Sequence, residues 1–229
     1  VPVHAVGFGI DVAPGTGPVA EHPLRSHDDL RRLRPLTPDD IAHVAATVDL
    51  VVAELGPQTP VLAFAGAPFT VASYLIEGRP SRDYRHTKAM MHAEPALWHE
   101  VMTRLSDMAV SFISTQLAHG AAAFQLFDSW AGSLSEADYR HFVLPYSTSV
   151  FNRLATAHPD APGIHFGIGC DHLLGAMHDA GPSVMGLDWR TPIRAARERL
   201  GSDLVVQGNL DPALVMAGVD TAIAGADRV

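Results

Sequence analysis

Short, predominantly apolar runs alternate along this chain with longer stretches in which apolar residues return every three or four positions. The short runs lie at residues 61–65, 122–127, 163–166, 184–187 and 204–206, and each stops at Gly or polar residues. A strand that is apolar on both sides is covered on both faces, as in a parallel sheet. The longer stretches predict helices. Thr37 can cap one, with Pro38 at its first position and Asp39 and Asp40 in its first turn. Ile41, Val44, Val48, Val51, Val52 and Leu55 form its stripe, and Gly56 stops it. Pro95 opens a longer helix, striped by Leu97, Val101, Leu105, Met108 and Phe112 and ending at Gly120. Ser135 and Asp138 give a capping start to a third, which runs on through Phe142, Leu144, Tyr146 and Val150. Two more occupy residues 170–180 and 193–200. The glycine-rich opening at residues 7–17 predicts a hairpin around residues 10–12.

Helical crossovers between strands enforce parallel pairing, either in an open doubly wound sheet or in a barrel. The dinucleotide fingerprint is missing, because Gly7–Phe8–Gly9 and Gly167–Ile168–Gly169 both lack the third glycine. No lysine follows a Gly-rich turn in the manner of a P-loop. Polar residues instead recur at strand ends: Asp128 and Ser129, His165, Asp188 and Trp189, and residues 207–211. Decoration at one end of successive strands favours an α/β fold of the (β/α)8 TIM-barrel type. The chain would hold about five of the eight strands of such a barrel, within a single domain over residues 1–229. It begins at Val1 inside an apolar stretch and stops at Val229 without a terminating signal, which reads as a piece cut from a longer protein.

Composition narrows the class without naming it. Of the 229 residues, 47% are hydrophobic and 18% charged, ordinary values for a globular enzyme. The net charge of −9 and the scattered arginines argue against nucleic acid and against an anionic membrane surface. Cys170 is the only cysteine, so no internal disulfide can form. No apolar run is long enough to span a bilayer, and no signal peptide opens the chain. The expected location is the cytoplasm.

Three segments carry the most information: FAGAPFTVASYLIEG at residues 64–78, FQLFDSWAG at 124–132 and VVQGNLDP at 205–212. With LPY at 144–146, IHFG at 164–167 and GLDWR at 186–190, their order and wording resemble the uroporphyrinogen decarboxylase family from Phe8 to about Gly218. The resemblance implies a (β/α)8 barrel, paired as a homodimer, that converts the four acetate side chains of uroporphyrinogen to methyls without a metal or organic cofactor. It implies two substrate-binding residues here, Tyr74 of SYLIEG and Ser129 of DSWAG. Phe64 and Phe127, with Phe69, would supply an apolar wall for the macrocycle. The family's catalytic Asp, in an SDI-like motif, and its arginines, in an RQAGR-like segment, would precede Val1. A GHG-type histidine would follow Val229. No catalytic residue is therefore expected within the chain. Arg79–Pro80 departs from the Gly-rich loop the family pattern leads one to expect after SYLIEG.

Without the resemblance, Tyr74 could equally be a helix residue packed in the core, and Ser129 a turn or cap serine. Asp128 reads as structural. His165, Asp188, Asn209 and Asp211 read as loop residues with satisfied hydrogen bonds. An alternative on the same barrel is a corrinoid- or folate-linked methyltransferase, which would hold zinc with a His-x-Cys pair. Here Gly167 occupies the position two after His165, which removes that thiolate.

Overall fold

The computed structural model describes residues 1–13, 15 and 17–229. A turn of helix, α1 (Pro2–Ala5), leads into an antiparallel hairpin of β1 (Ile10–Ala13) and β2 (Gly17–Ala20). The hairpin is present where glycine is dense, but it turns after residue 13 rather than around residues 10–12. Of that turn, residues 14 and 16 lie outside the described residues. After α2 (His27–Leu30), the segment capped by Thr37 opens as a 3-10 turn, Pro38–Ile41, and continues as α3 (Ala42–Leu55). The Asp40 carboxylate accepts hydrogen bonds from the Thr37 N–H and hydroxyl and from both terminal nitrogens of Arg34.

Five strands then alternate with helices. The order is β3 (Leu62–Gly66), α4 (Pro68–Glu77), α5 (Arg85–Ala93), α6 (Pro95–Ala118), β4 (Ala123–Phe127), α7 (Glu136–Phe142), α8 (Leu144–Ala157), β5 (Gly163–Phe166), α9 (Leu174–His178), β6 (Val184–Gly186), α10 (Ile193–Leu200), β7 (Val206–Gln207), α11 (Pro212–Met216) and α12 (Val219–Ala226). The sheet order is β3-β4-β5-β6-β7, and every pairing is parallel. A doubly wound sheet reverses its order at a switch point. This one never reverses, so it is an arc of a barrel.

The register sorts the residues by face. Ala65, Leu126, His165 and Met185 pair in one row and are buried on the helix side. There Phe151 of α8 packs on Phe124 at 5.8 Å and on His165 at 5.1 Å. Gly66, Phe127, Phe166 and Gly186 pair in the next row, on the face the helices leave open. Leu62 and Phe64 share that face and are exposed, Phe64 by 57%. Gly186 is required beside Phe166, because a Cβ there would sit 2.9 Å from the phenyl side chain.

The outer edge of β3 is closed by a side chain. Gln116 of α6, itself buried, accepts a hydrogen bond from the Phe64 N–H at 3.2 Å and donates to the Phe64 carbonyl at 3.0 Å. An unpaired strand edge is thereby partly satisfied from within the chain.

Two expectations need correction. The helix read as continuous from Ser135 through Val150 breaks at Val143, whose φ of −124° leaves the helical region. Pro145 causes the break: it has no N–H for the carbonyl four residues back, and its ring crowds that carbonyl. The Phe142 carbonyl freed nearby is taken by the Trp98 indole N–H at 2.9 Å. Phe69, read as part of an apolar wall, is fully buried against Trp98 and belongs to the core.

Candidate active site on the open face of the sheet

The strand ends deliver two adjoining groups of side chains. At the end of β3, the Ala67 N–H donates to the Phe127 carbonyl at 2.8 Å and Pro68 starts α4. Most of α4 is buried; Val71 and Tyr74, one turn apart, are only half-buried. Gly78 ends the helix in the left-handed region with φ of 77°. Val71 and Tyr74 line a cleft of about 840 Å³ together with Phe64 and Gly66 of β3, Leu105 and Phe112 of α6, and the N-terminal residues His4 and Asp11. The cleft combines a mainly apolar wall with a few polar groups, the usual make-up of a small-molecule site.

Tyr74 meets Trp130 edge-on at 5.7 Å, and Trp130 packs on Tyr84, also at 5.7 Å. Burial pushes the Tyr74 phenol above its usual pKa, with the facing Trp130 indole working in the opposite direction. Tyr74 is thus a neutral hydrogen-bond donor at physiological pH. Tyr84 adopts a φ of 50°, and its backbone N–H donates to Ser81 Oγ at 3.0 Å. The exposed Arg79–Pro80 loop lies between these two tyrosines in sequence.

The second group follows β4. Phe127 lies edge-on between Phe64 at 6.1 Å and Phe166 at 5.8 Å, so three rings line the open face. Asp128 turns to the other face and is fully buried. Its Oδ1 accepts from the Thr70 hydroxyl at 3.0 Å, and Thr70 Oγ1 in turn accepts from the Trp130 N–H at 3.3 Å. Ser129 sits in the turn between them, half-buried.

Of the four residues singled out in the sequence, Phe64 and Tyr74 share the cleft. Phe127 and Ser129 do not line it; they border it through the Phe64 ring and through Trp130. Asp188 accepts from the Gly169 and Arg190 backbones and from the Arg190 guanidinium, Asn209 donates to the Asp188 and Thr191 carbonyls, and Asp211 caps α11. The satisfied reading fits these three. It fails for His165, whose Nε2 is buried without a partner. Trp130 and Thr70, which tie the two groups together, were not singled out beforehand.

The sequence pattern of the family described as Uroporphyrinogen decarboxylase (URO-D) matches residues 1–229. The chain belongs to the uroporphyrinogen decarboxylase family. Among the curated members, the uroporphyrinogen decarboxylase of Salinispora tropica is 51% identical over 217 residues, covering 95% of this chain and 58% of its own. That of Saccharopolyspora erythraea is 52% identical over 227 residues, covering 95% of this chain and 62% of its own. The chain spans about three fifths of the length of the curated relatives it matches. A solved methyltransferase from Methanosarcina mazei superposes with a TM-score of 0.79 at 17% identity, over all of this chain and 67% of that one. That likeness is one of fold. It matches the barrel arc read from the strand order of this family member.

Proposed function

We propose that this chain is part of a uroporphyrinogen decarboxylase, acting on the four acetate side chains of uroporphyrinogen to give coproporphyrinogen in haem biosynthesis. A pyrrole acetate cannot simply lose carbon dioxide, because the bonding electrons need an acceptor. Protonating the α-carbon of the ring, next to the carbon that bears the acetate, makes the pyrrole that acceptor. Loss of carbon dioxide then leaves a neutral ring with an exocyclic methylene; a proton added at that carbon makes the methyl, and the first proton leaves the ring carbon to restore the pyrrole. Such a reaction asks the protein for a proton source, a counter-charge and a grip on several carboxylates.

The residues in hand suit the grip and the wall. Tyr74 and Ser129 each offer a neutral hydroxyl to a substrate carboxylate, and Phe64 and Phe127 offer ring faces to the macrocycle. The counter-charge and the arginine clamp would come from segments outside residues 1–229. On this reading the chain is a single, incomplete barrel domain of a cytoplasmic homodimer.

The observation that carries the proposal is the family match along the whole chain, together with Tyr74 and Phe64 sharing one cleft. The test uses the full-length gene product with uroporphyrinogen III. Tyr74→Phe and Ser129→Ala should each raise KM by about tenfold, the usual effect of losing one hydrogen bond to a charged group. Failure of the full-length protein to form coproporphyrinogen would overturn the reading. Stoichiometric zinc in that protein, with methyl transfer, would replace it by the methyltransferase alternative.

A further inference from the structure

Behind the turn that carries Ser129, on the helix side of the sheet, Asp128 Oδ2, His165 Nε2, Tyr139 OH and Ser147 Oγ are all buried without a hydrogen-bond partner. They belong to one neighbourhood. Asp128 Oδ2 and His165 Nε2 stand 4.0 Å apart, with both side chains wholly enclosed. Tyr139 faces Ser147 and lies within electrostatic reach of Asp128. Buried polar atoms left unpaired are costly, so several together demand an account.

Counting hydrogens supplies one. His165 Nδ1 lies 3.1 Å from the Met177 carbonyl, which can only accept. Nδ1 therefore carries the proton, and Nε2 presents a lone pair. Asp128 Oδ1 is already engaged by the Thr70 hydroxyl at 3.0 Å. The remaining carboxyl oxygen stands 4.0 Å from Nε2, longer than a hydrogen bond, and the two atoms attract rather than repel only if that oxygen carries a proton.

We propose that Asp128 is a positioning residue: its carboxyl, facing His165, fastens through Thr70 the start of α4, which carries Tyr74, to the Trp130 backbone beside Ser129. The inference rests on the reading of Tyr74 and Ser129 as substrate contacts. Three relations meet at this carboxyl. One oxygen holds the hydroxyl of α4, that hydroxyl holds the N–H of the turn after β4, and the other oxygen faces β5. The two substrate-facing elements are thereby kept in fixed relation from behind.

Burial acts in the same direction, pushing the Asp128 carboxyl up to about 7 and the His165 imidazole down to about 4. The titratable groups facing the carboxyl are His165 on β5, Tyr139 on α7 and Cys170 in the loop after β5; Asp188, at the end of β6, faces the same thiol. Burial raises both Tyr139 and Cys170, which keeps them protonated. The Asp128 carboxyl is the member of this group that titrates near physiological pH, while the imidazole stays neutral.

The experiment compares variants of the full-length protein for KM, kcat and Trp130 environment, the last read by fluorescence with every other tryptophan, Trp98 and Trp189 included, replaced in every sample. Asp128→Asn can still accept from Thr70 and donate to His165, so its KM should stay within about twofold of the parent. Asp128→Ala should raise KM by about tenfold with kcat changed less, and should shift the Trp130 emission. Equal damage from Asn and Ala overturns the proposal, as does an Ala variant with unchanged KM and emission. If Asp128→Ala does not fold, Thr70→Val and Thr70→Ser take its place: Val cuts the link and Ser keeps it, and equal KM values overturn the proposal. Should Tyr74→Phe and Ser129→Ala leave KM unchanged while the Asp128 and Thr70 variants raise it, the assignment of the substrate contacts fails and the fastening role stands.

Discussion

Burial favours the neutral forms of both Asp128 and His165 in the folded chain, the carboxyl protonated and the imidazole unprotonated. In the unfolded chain Asp128 titrates near its ordinary 3.8 and His165 near 6.5; in the folded chain burial moves them to about 7 and about 4. From about pH 4 to about pH 6.5, the unfolded chain carries the proton on the histidine and the folded chain carries it on the carboxyl. The count is one in both states, so the pair adds no pH dependence to stability across that window. Each single variant should uncover one half. Asp128→Asn leaves the imidazole with its lowered pKa, and stability relative to the parent should fall as pH drops from about 6.5 towards 4. His165→Gln leaves the carboxyl with its raised pKa; stability present below about pH 4 should be lost as pH rises through about 7. Urea titrations at several pH values should therefore give slopes of opposite sign, and slopes of one sign would contradict the opposed shifts of the two groups. None of this was legible along the chain. Asp128 and Thr70 are separated by 58 residues, and nothing local marks His165 Nε2 as unpartnered. Tyr74 and Ser129 are proposed as substrate contacts only through the resemblance, since spacing alone allowed a core tyrosine and a cap serine.

The strands were the most legible elements, because a barrel strand packs against helices on one side and the barrel interior on the other, which replaces alternation by a short apolar run. The observed β3, β4 and β5 fall within a residue of the apolar runs. β7 begins two residues later than expected and is short. The helices were read less well where composition was polar or where one residue outweighed the period. α5 carries only Met90 and Met91 as large apolar residues and left no stripe to follow. At the α7–α8 junction the apolar period continued past Pro145, and period prevailed in the reading where the missing N–H prevails in the fold. Trp98 completes that junction by donating to the Phe142 carbonyl. Trp98→Phe should cost about 1–2 kcal/mol in stability, since it keeps most of the ring and leaves one carbonyl unpaired. Chemical denaturation measures the loss, and KM should not move, because the bond lies outside the cleft.

At the scale of the molecule, the proposed function gives residues 1–229 the grip and the apolar wall and assigns none of them to proton transfer. The isolated 229-residue chain should therefore form no coproporphyrinogen from uroporphyrinogen, as assayed by fluorescence after oxidation of the product. Measurable turnover would place proton transfer within residues 1–229 and require a new assignment. The barrel arc itself was legible from recurrent polar strand ends, and the unreversed sheet order carries the same inference in three dimensions.

The two borders of that arc differ in what they offer another molecule. At the β7 border, Met216 and Val219 of the C-terminal helices are 88% and 74% exposed, an apolar surface open to association. At the β3 border the Gln116 amide occupies the place of a neighbouring peptide group, giving and taking one hydrogen bond as a strand would. A foreign strand arriving at Phe64 meets bonds already made and must break them before it gains any. In the isolated 229-residue chain, Gln116 thus sets a kinetic obstacle to sheet growth from one side. Gln116→Ala should shorten the lag before thioflavin-positive aggregates form, while apolar-to-polar changes at Met216 and Val219 should suppress amorphous association and leave that lag alone.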